Sequence, residues 1–137
     1  MIIEFAALNW LAIALCVVIG QIILTVWFAA LFAEPWAKAY GAADKTQHAA
    51  EIPMYTYGVG LACMILLTLG LATLRNALGI TGFASGLSMG LFVALAFCCA
   101  TAVPGYAFLR RWPALILAIA PQVIVIVALS IILSVWV

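Results

Sequence analysis

Polar positions fall in narrow clusters along this chain, and between the clusters the residues stay apolar for more than twenty positions at a time. The ionisable acids and bases of the clusters are Glu4, Glu34, Lys38, Asp44, Lys45, Glu51, Arg75, Arg110 and Arg111. They leave four uncharged stretches, 5–33, 52–74, 76–109 and 112–137. The stretches are continuous and rich in Leu and Ala, unlike the short alternating segments of a membrane β-barrel. A helix needs about 20 such residues to cross a hydrocarbon core of about 30 Å. A charge at mid-span would cost about 2.5–3.5 kcal/mol on insertion scales, which accounts for the gaps. The pattern predicts an all-α integral membrane four-helix bundle, a single transmembrane domain over 1–137. Its spans lie at about 8–32, 53–74, 83–108 and 113–135, with one sizeable polar loop over 33–52.

The breakers agree with these bounds. Glu34-Pro35 opposes continuation of the first span. Pro53 and Pro113 suit the opening turns of the second and fourth. Asn76–Gly82 makes a short turn. Asp44 followed by Gln47 resembles a capping box and predicts a short helix over about 45–51. The composition is 70% hydrophobic and 7% charged, against about 45–50% and 25% in a soluble domain, so lipid must serve as solvent. The net charge of +1 points to no nucleic-acid partner, and Met-Ile-Ile-Glu lacks the basic start of a cleaved signal peptide. Lys38, Lys45, Arg110 and Arg111 lie after spans one and three, and Arg75 alone lies on the other side. The positive-inside rule therefore predicts both termini outside and the loop 33–52 in the cytoplasm of a cell (inner or plasma) membrane. Trp10 and Trp136 form the outer aromatic belt, Trp36 and Trp112 the inner one.

Asn9-Trp10, then Trp27-Phe28 and Leu31-Phe32 running into Pro35-Trp36-x-Lys38-x-Tyr40-Gly41, resembles the four-span family DUF1761. Tyr106-x-Phe108-x-Arg110-Arg111 and the closing Trp136 are similar too. Ala29-Ala30 departs from the Ser-Pro that the family tends to carry after the aromatic pair, and Pro121-Gln122 stands where it often has polar aromatics. The resemblance implies the four-span fold and assigns no activity, because the family's function is itself unassigned.

Candidate sites follow from residues that sit poorly in lipid or pack unusually well. Gly82, Gly86, Gly90 and Ala94, continuing through Cys98 and Ala102, place small residues four apart, the spacing that lets helices approach closely. Gly58 and Ala62 form a shorter version. Either ridge can pack within the bundle or face a partner. Gln21 and Gln122 fall near the midplane, and an amide facing hydrocarbon would cost several kcal/mol. Both are expected to turn inward and pair, which makes spans one and four neighbours. Pro104 and Pro121 interrupt spans three and four, and Tyr55, Tyr57, Tyr106 and Arg110 form a candidate inner pocket beneath them.

The catalytic signals are sparse. Cys16, Cys63, Cys98 and Cys99 all lie inside spans without a CxxC and read as small hydrophobes. His48, the one histidine, sits with Asp44 and Glu51 in the loop, where a solvated helix explains it better than a metal. No acid or base lies within a span to couple transport to protons. The function expected is that of a non-enzymatic structural or accessory membrane protein, in a homo-oligomer or a larger membrane complex, with no cofactor. Its partners would be membrane lipid and further membrane subunits or copies of itself. The alternative is a small oligomeric passive transporter or channel; an enzyme acting on lipid ranks third.

Overall fold

A computed structural model describes residues 7–136; Glu4 and Val137 lie outside them. The described residues form helices and no strand. The helices are α1 (Trp10–Leu31), α2 (Ala33–Ala39), α3 (Lys45–Glu51), α4 (Tyr55–Ala77), α5 (Phe83–Phe108) and α6 (Trp112–Val135). Of these α1, α4, α5 and α6 are long and apolar enough to cross a membrane. The all-α four-span architecture is thus the one the charge gaps predict. The end carrying α2, α3 and the α5–α6 turn is called the loop end, and the opposite one the terminal end.

Local chemistry sets the boundaries. Asn9 starts α1, its Oδ1 accepting the Ala12 N–H at 3.0 Å, which satisfies one of the orphan donors of a helix start. The second span runs to Ala77 rather than 74 and takes Arg75 into its last turn, where the helix dipole favours a cation. It begins after Pro53, whose carbonyl accepts the Thr56 N–H. Asp44 caps α3 through the Gln47 N–H at 2.8 Å. The reciprocal bond differs from a regular capping box: Gln47 Oε1 accepts from the Ala43 N–H, one residue earlier.

α6 is the hub, with α1, α4 and α5 each packed on it. Val125, Leu129, Ser130 and Ser134 of α6 are fully buried. The tightest contact is with α5. A Cβ on Gly86 would stand 2.8 Å from the Ser134 Cβ and 2.9 Å from the Ser130 carbonyl oxygen, and one on Gly90 2.8 Å from the Val127 Cα. Only glycine allows so close an approach. Ala94 is likewise fully buried, so Gly86, Gly90 and Ala94 serve packing within the bundle. Gly82, exposed at the start of α5 with φ of 86°, joins α6 by a different contact: its N–H donates to the Ser134 carbonyl at 2.7 Å.

α1 carries its own ridge of Ala12, Cys16 and Gly20, all buried. A Cβ on Gly20 would meet Met64 of α4 at its thioether.

The bundle is closed at the terminal end and open at the loop end. Along α4, Met64, Thr68, Leu71 and Ala72 are buried, while every residue from Tyr55 to Cys63 is exposed. Gly58 and Ala62 fall in this exposed half, and nothing lies within 4 Å of a Cβ built on Gly58. Both α1 and α5 also widen to π geometry, at Val26–Leu31 and Ala94–Cys99. The Phe32 N–H reaches back five residues to the Trp27 carbonyl, and the Ala100 N–H to that of Leu95.

Candidate functional site

Proline in α6 creates the first polar demand inside the bundle. Pro121 has no N–H, so the Leu117 carbonyl four residues earlier loses its helical partner. The Trp27 indole Nε1 donates to that carbonyl at 3.1 Å. Trp27 lies in the π segment of α1, where the widened turn shifts the side chains that follow relative to a regular helix. The kink in α6 and the bulge in α1 therefore complete one another.

Beside this junction the splayed half of α4 leaves a cleft of about 470 Å³. All four spans line it, through Leu24 of α1, Gly60 and Met64 of α4, Phe97 and Cys98 of α5, and Gln122 of α6. Gln122 comes ten residues after Trp112, about 15 Å along the helix and so near mid-depth. Gln122 is half-buried, its amide forms no hydrogen bond among the described residues, and it is the one strongly polar side chain of the lining. The π segment of α5 supplies Phe97 and Cys98; their carbonyls accept from the Thr101 hydroxyl, that of Cys98 at 3.2 Å. The lining has no acid, base or histidine.

Gln21 belongs to a second groove, of about 350 Å³, on the other flank of α4, where it lies with Thr25 and Leu61. Its Nε2 is buried without a partner. Spans one and four are neighbours as expected, but the expected Gln21–Gln122 hydrogen bond does not form. The reason is rotational. Ala12, Cys16 and Gly20 take the inward face of α1, and Gln21, one residue on, is turned about 100° away from it.

The expected inner pocket also differs. Tyr55 and Tyr57 are exposed at 73% and 61% on the splayed half of α4. Arg110 is exposed in the α5–α6 turn with φ of 53°. Tyr106 is half-buried and lies beside Tyr40, near Arg111. Burial, with the Tyr106 hydroxyl next to it, pushes the Tyr40 phenol above its ordinary value; the Arg111 charge pulls more weakly the other way. Tyr40 also belongs to an aromatic ladder, with Phe28–Trp36 centroids at 4.6 Å, Trp36–Tyr40 at 4.5 Å and Tyr40–His48 at 6.0 Å. His48 thus packs on a ring. Glu34 ties α2 to α3 by accepting the Lys45 N–H at 3.2 Å, and it meets Lys38 at 3.4 Å.

At the terminal end Arg75 Nη1 donates to Asn76 Oδ1 at 2.7 Å, and Asn76 Nδ2 to the Ala7 carbonyl at 3.0 Å. Sequence reasoning missed this link and the Trp27 contact. The signal for the second was present, an aromatic donor in one span and a proline-freed carbonyl in another. The thiols of Cys16, Cys63, Cys98 and Cys99 are all free.

A model of the family described as "Protein of unknown function (DUF1761)" matches residues 11–134. No curated protein and no solved structure matches the chain.

Proposed function

The chain belongs to the DUF1761 family, and on that premise we propose that it is a non-enzymatic structural or accessory protein of the cell membrane, working in a homo-oligomer or a larger membrane complex. The observation that carries this reading is the outward face of α4. Gly58 and Ala62 offer the four-residue spacing of a helix-docking ridge, yet both are exposed and no described residue lies within 4 Å of a Cβ built on Gly58. The corresponding ridge of α5 is consumed inside the bundle. A further transmembrane helix, from a second copy or another subunit, fits the face that remains.

The test is gentle extraction followed by native mass spectrometry of the wild type and of Gly58→Leu. Because the site is open, the variant keeps its fold and loses the assembly. Wild-type protein that extracts as a monomer, or an assembly indifferent to Gly58→Leu, would overturn the proposal. A second reading, a passive transporter or channel, draws on the two mid-depth grooves that flank α4, each holding one glutamine. Solute flux through liposomes that Gln122→Leu abolishes would favour it instead.

A further inference from the structure

We infer that the cleft between α4 and α5 is a binding site for a small, uncharged, largely apolar molecule carrying one hydrogen-bonding oxygen, a carbonyl or hydroxyl, which meets the Gln122 amide. The cleft volume of about 470 Å³ lies within the range of small-molecule sites, about 300–1,000 Å³, which are mostly apolar with a few orienting polar groups. Its wall follows that pattern: Leu24, Met64, Phe97 and Cys98 around one amide.

The amide decides the chemistry. Near mid-depth an amide left without a partner in hydrocarbon costs several kcal/mol. No other described residue bonds to it. An acyl tail would fill the cleft without meeting this need, and the ester oxygens of a phospholipid stay at the interface, about 15 Å away. A charged ligand would find no countercharge in the wall. An apolar molecule with a single oxygen satisfies both the wall and the amide. The π segment of α5 forms part of the wall, a helix distortion that recurs at functional sites.

The experiment uses the full chain in phosphatidylcholine nanodiscs with benzophenone, an apolar ketone that crosslinks to C–H bonds beside its carbonyl on illumination. Adducts should map to residues lining the cleft, Met64 and Cys98 foremost. Dipentyl ketone should suppress them and undecane should not. Gln122→Leu should raise the concentration for half-labelling about fivefold, the fold-change of one net hydrogen bond. Gly60→Leu places a side chain in the cleft where nothing stands within 4 Å of its Cβ, and should abolish labelling with the fold intact by circular dichroism. Should Gln122→Leu fail to fold, the competition series and Gly60→Leu decide alone. Adducts scattered over lipid-facing residues, equal suppression by ketone and alkane, or labelling that survives Gly60→Leu would each overturn the inference.

Discussion

Trp27→Phe removes the indole donor from the Leu117 carbonyl and keeps an aromatic ring in contact with Phe32, whose centroid lies 4.2 Å from that of Trp27. The carbonyl then has neither a helical nor a side-chain partner, because Pro121 supplies no N–H. Side-chain hydrogen bonds between membrane helices contribute about 0.6–2 kcal/mol. A 3.1 Å bond to a carbonyl left free by proline belongs in the middle of that range, so the expected loss is about 1–1.5 kcal/mol. Part of any measured loss comes from the smaller ring, and a double-mutant cycle with Pro121→Ala removes that part. Alanine at 121 restores the N–H four residues after Leu117, so the carbonyl no longer depends on Trp27. In that background Trp27→Phe should cost less by about 0.6–1.5 kcal/mol, the coupling of the pair. The assay is reversible unfolding in mixed micelles under rising denaturing detergent, followed by circular dichroism. If Trp27→Phe costs the same with proline and with alanine at 121, the indole does not stand in for the missing N–H and the argument fails.

Three further outcomes are expected. Gly90→Ala should destabilise the bundle by about 1–3 kcal/mol in the same assay, since its Cβ meets the α6 backbone at 2.8 Å, whereas Gly70→Ala, with nothing within 4 Å, should be neutral or better. A reporter active only in the cytoplasm should work when fused after Lys45 or Arg111 and fail at either terminus; the reverse pattern would invert the orientation. The Tyr40 phenol, held above its ordinary value mainly by burial, is neutral in the folded state. Its contribution to stability is present below the unfolded value of about 10 and lost as pH rises through the folded value. Ultraviolet titration should show a late component that Tyr40→Phe removes.

The spans were legible because their signal is collective: nine charges placed outside four apolar runs leave little freedom. The α5 ridge was legible for a similar reason, since Gly86 and Gly90 have a spacing with one dominant use. The equal ridge of Ala12, Cys16 and Gly20 carries the same signal with only one glycine in it, and it was passed over. That omission misplaced Gln21, because the inward face of α1 was already taken. The tyrosines at the loop end misled for a different reason. Aromatic residues collect at an interface whether or not they line a pocket, so Tyr55 and Tyr57 reported depth and nothing about convergence. The π segments have no composition of their own. Each is one extra residue in a turn, and only the partner it serves, as Trp27 serves Leu117, reveals why it is there.

The central place of α6 bears on how the protein is made. α6 follows the other three spans in the chain, yet each of them packs on it. While its 24 residues are being translated, roughly 1–5 s at common elongation rates, α5 sits in the bilayer without the serines that Gly86 and Gly90 were shaped to meet. The Trp27 indole likewise has no carbonyl to bind. Biogenesis is therefore weighted to its final step: a chain halted before residue 112 holds three inserted helices without the span on which each of them packs. To membrane quality control such a product should look like an orphan rather than a smaller version of the protein.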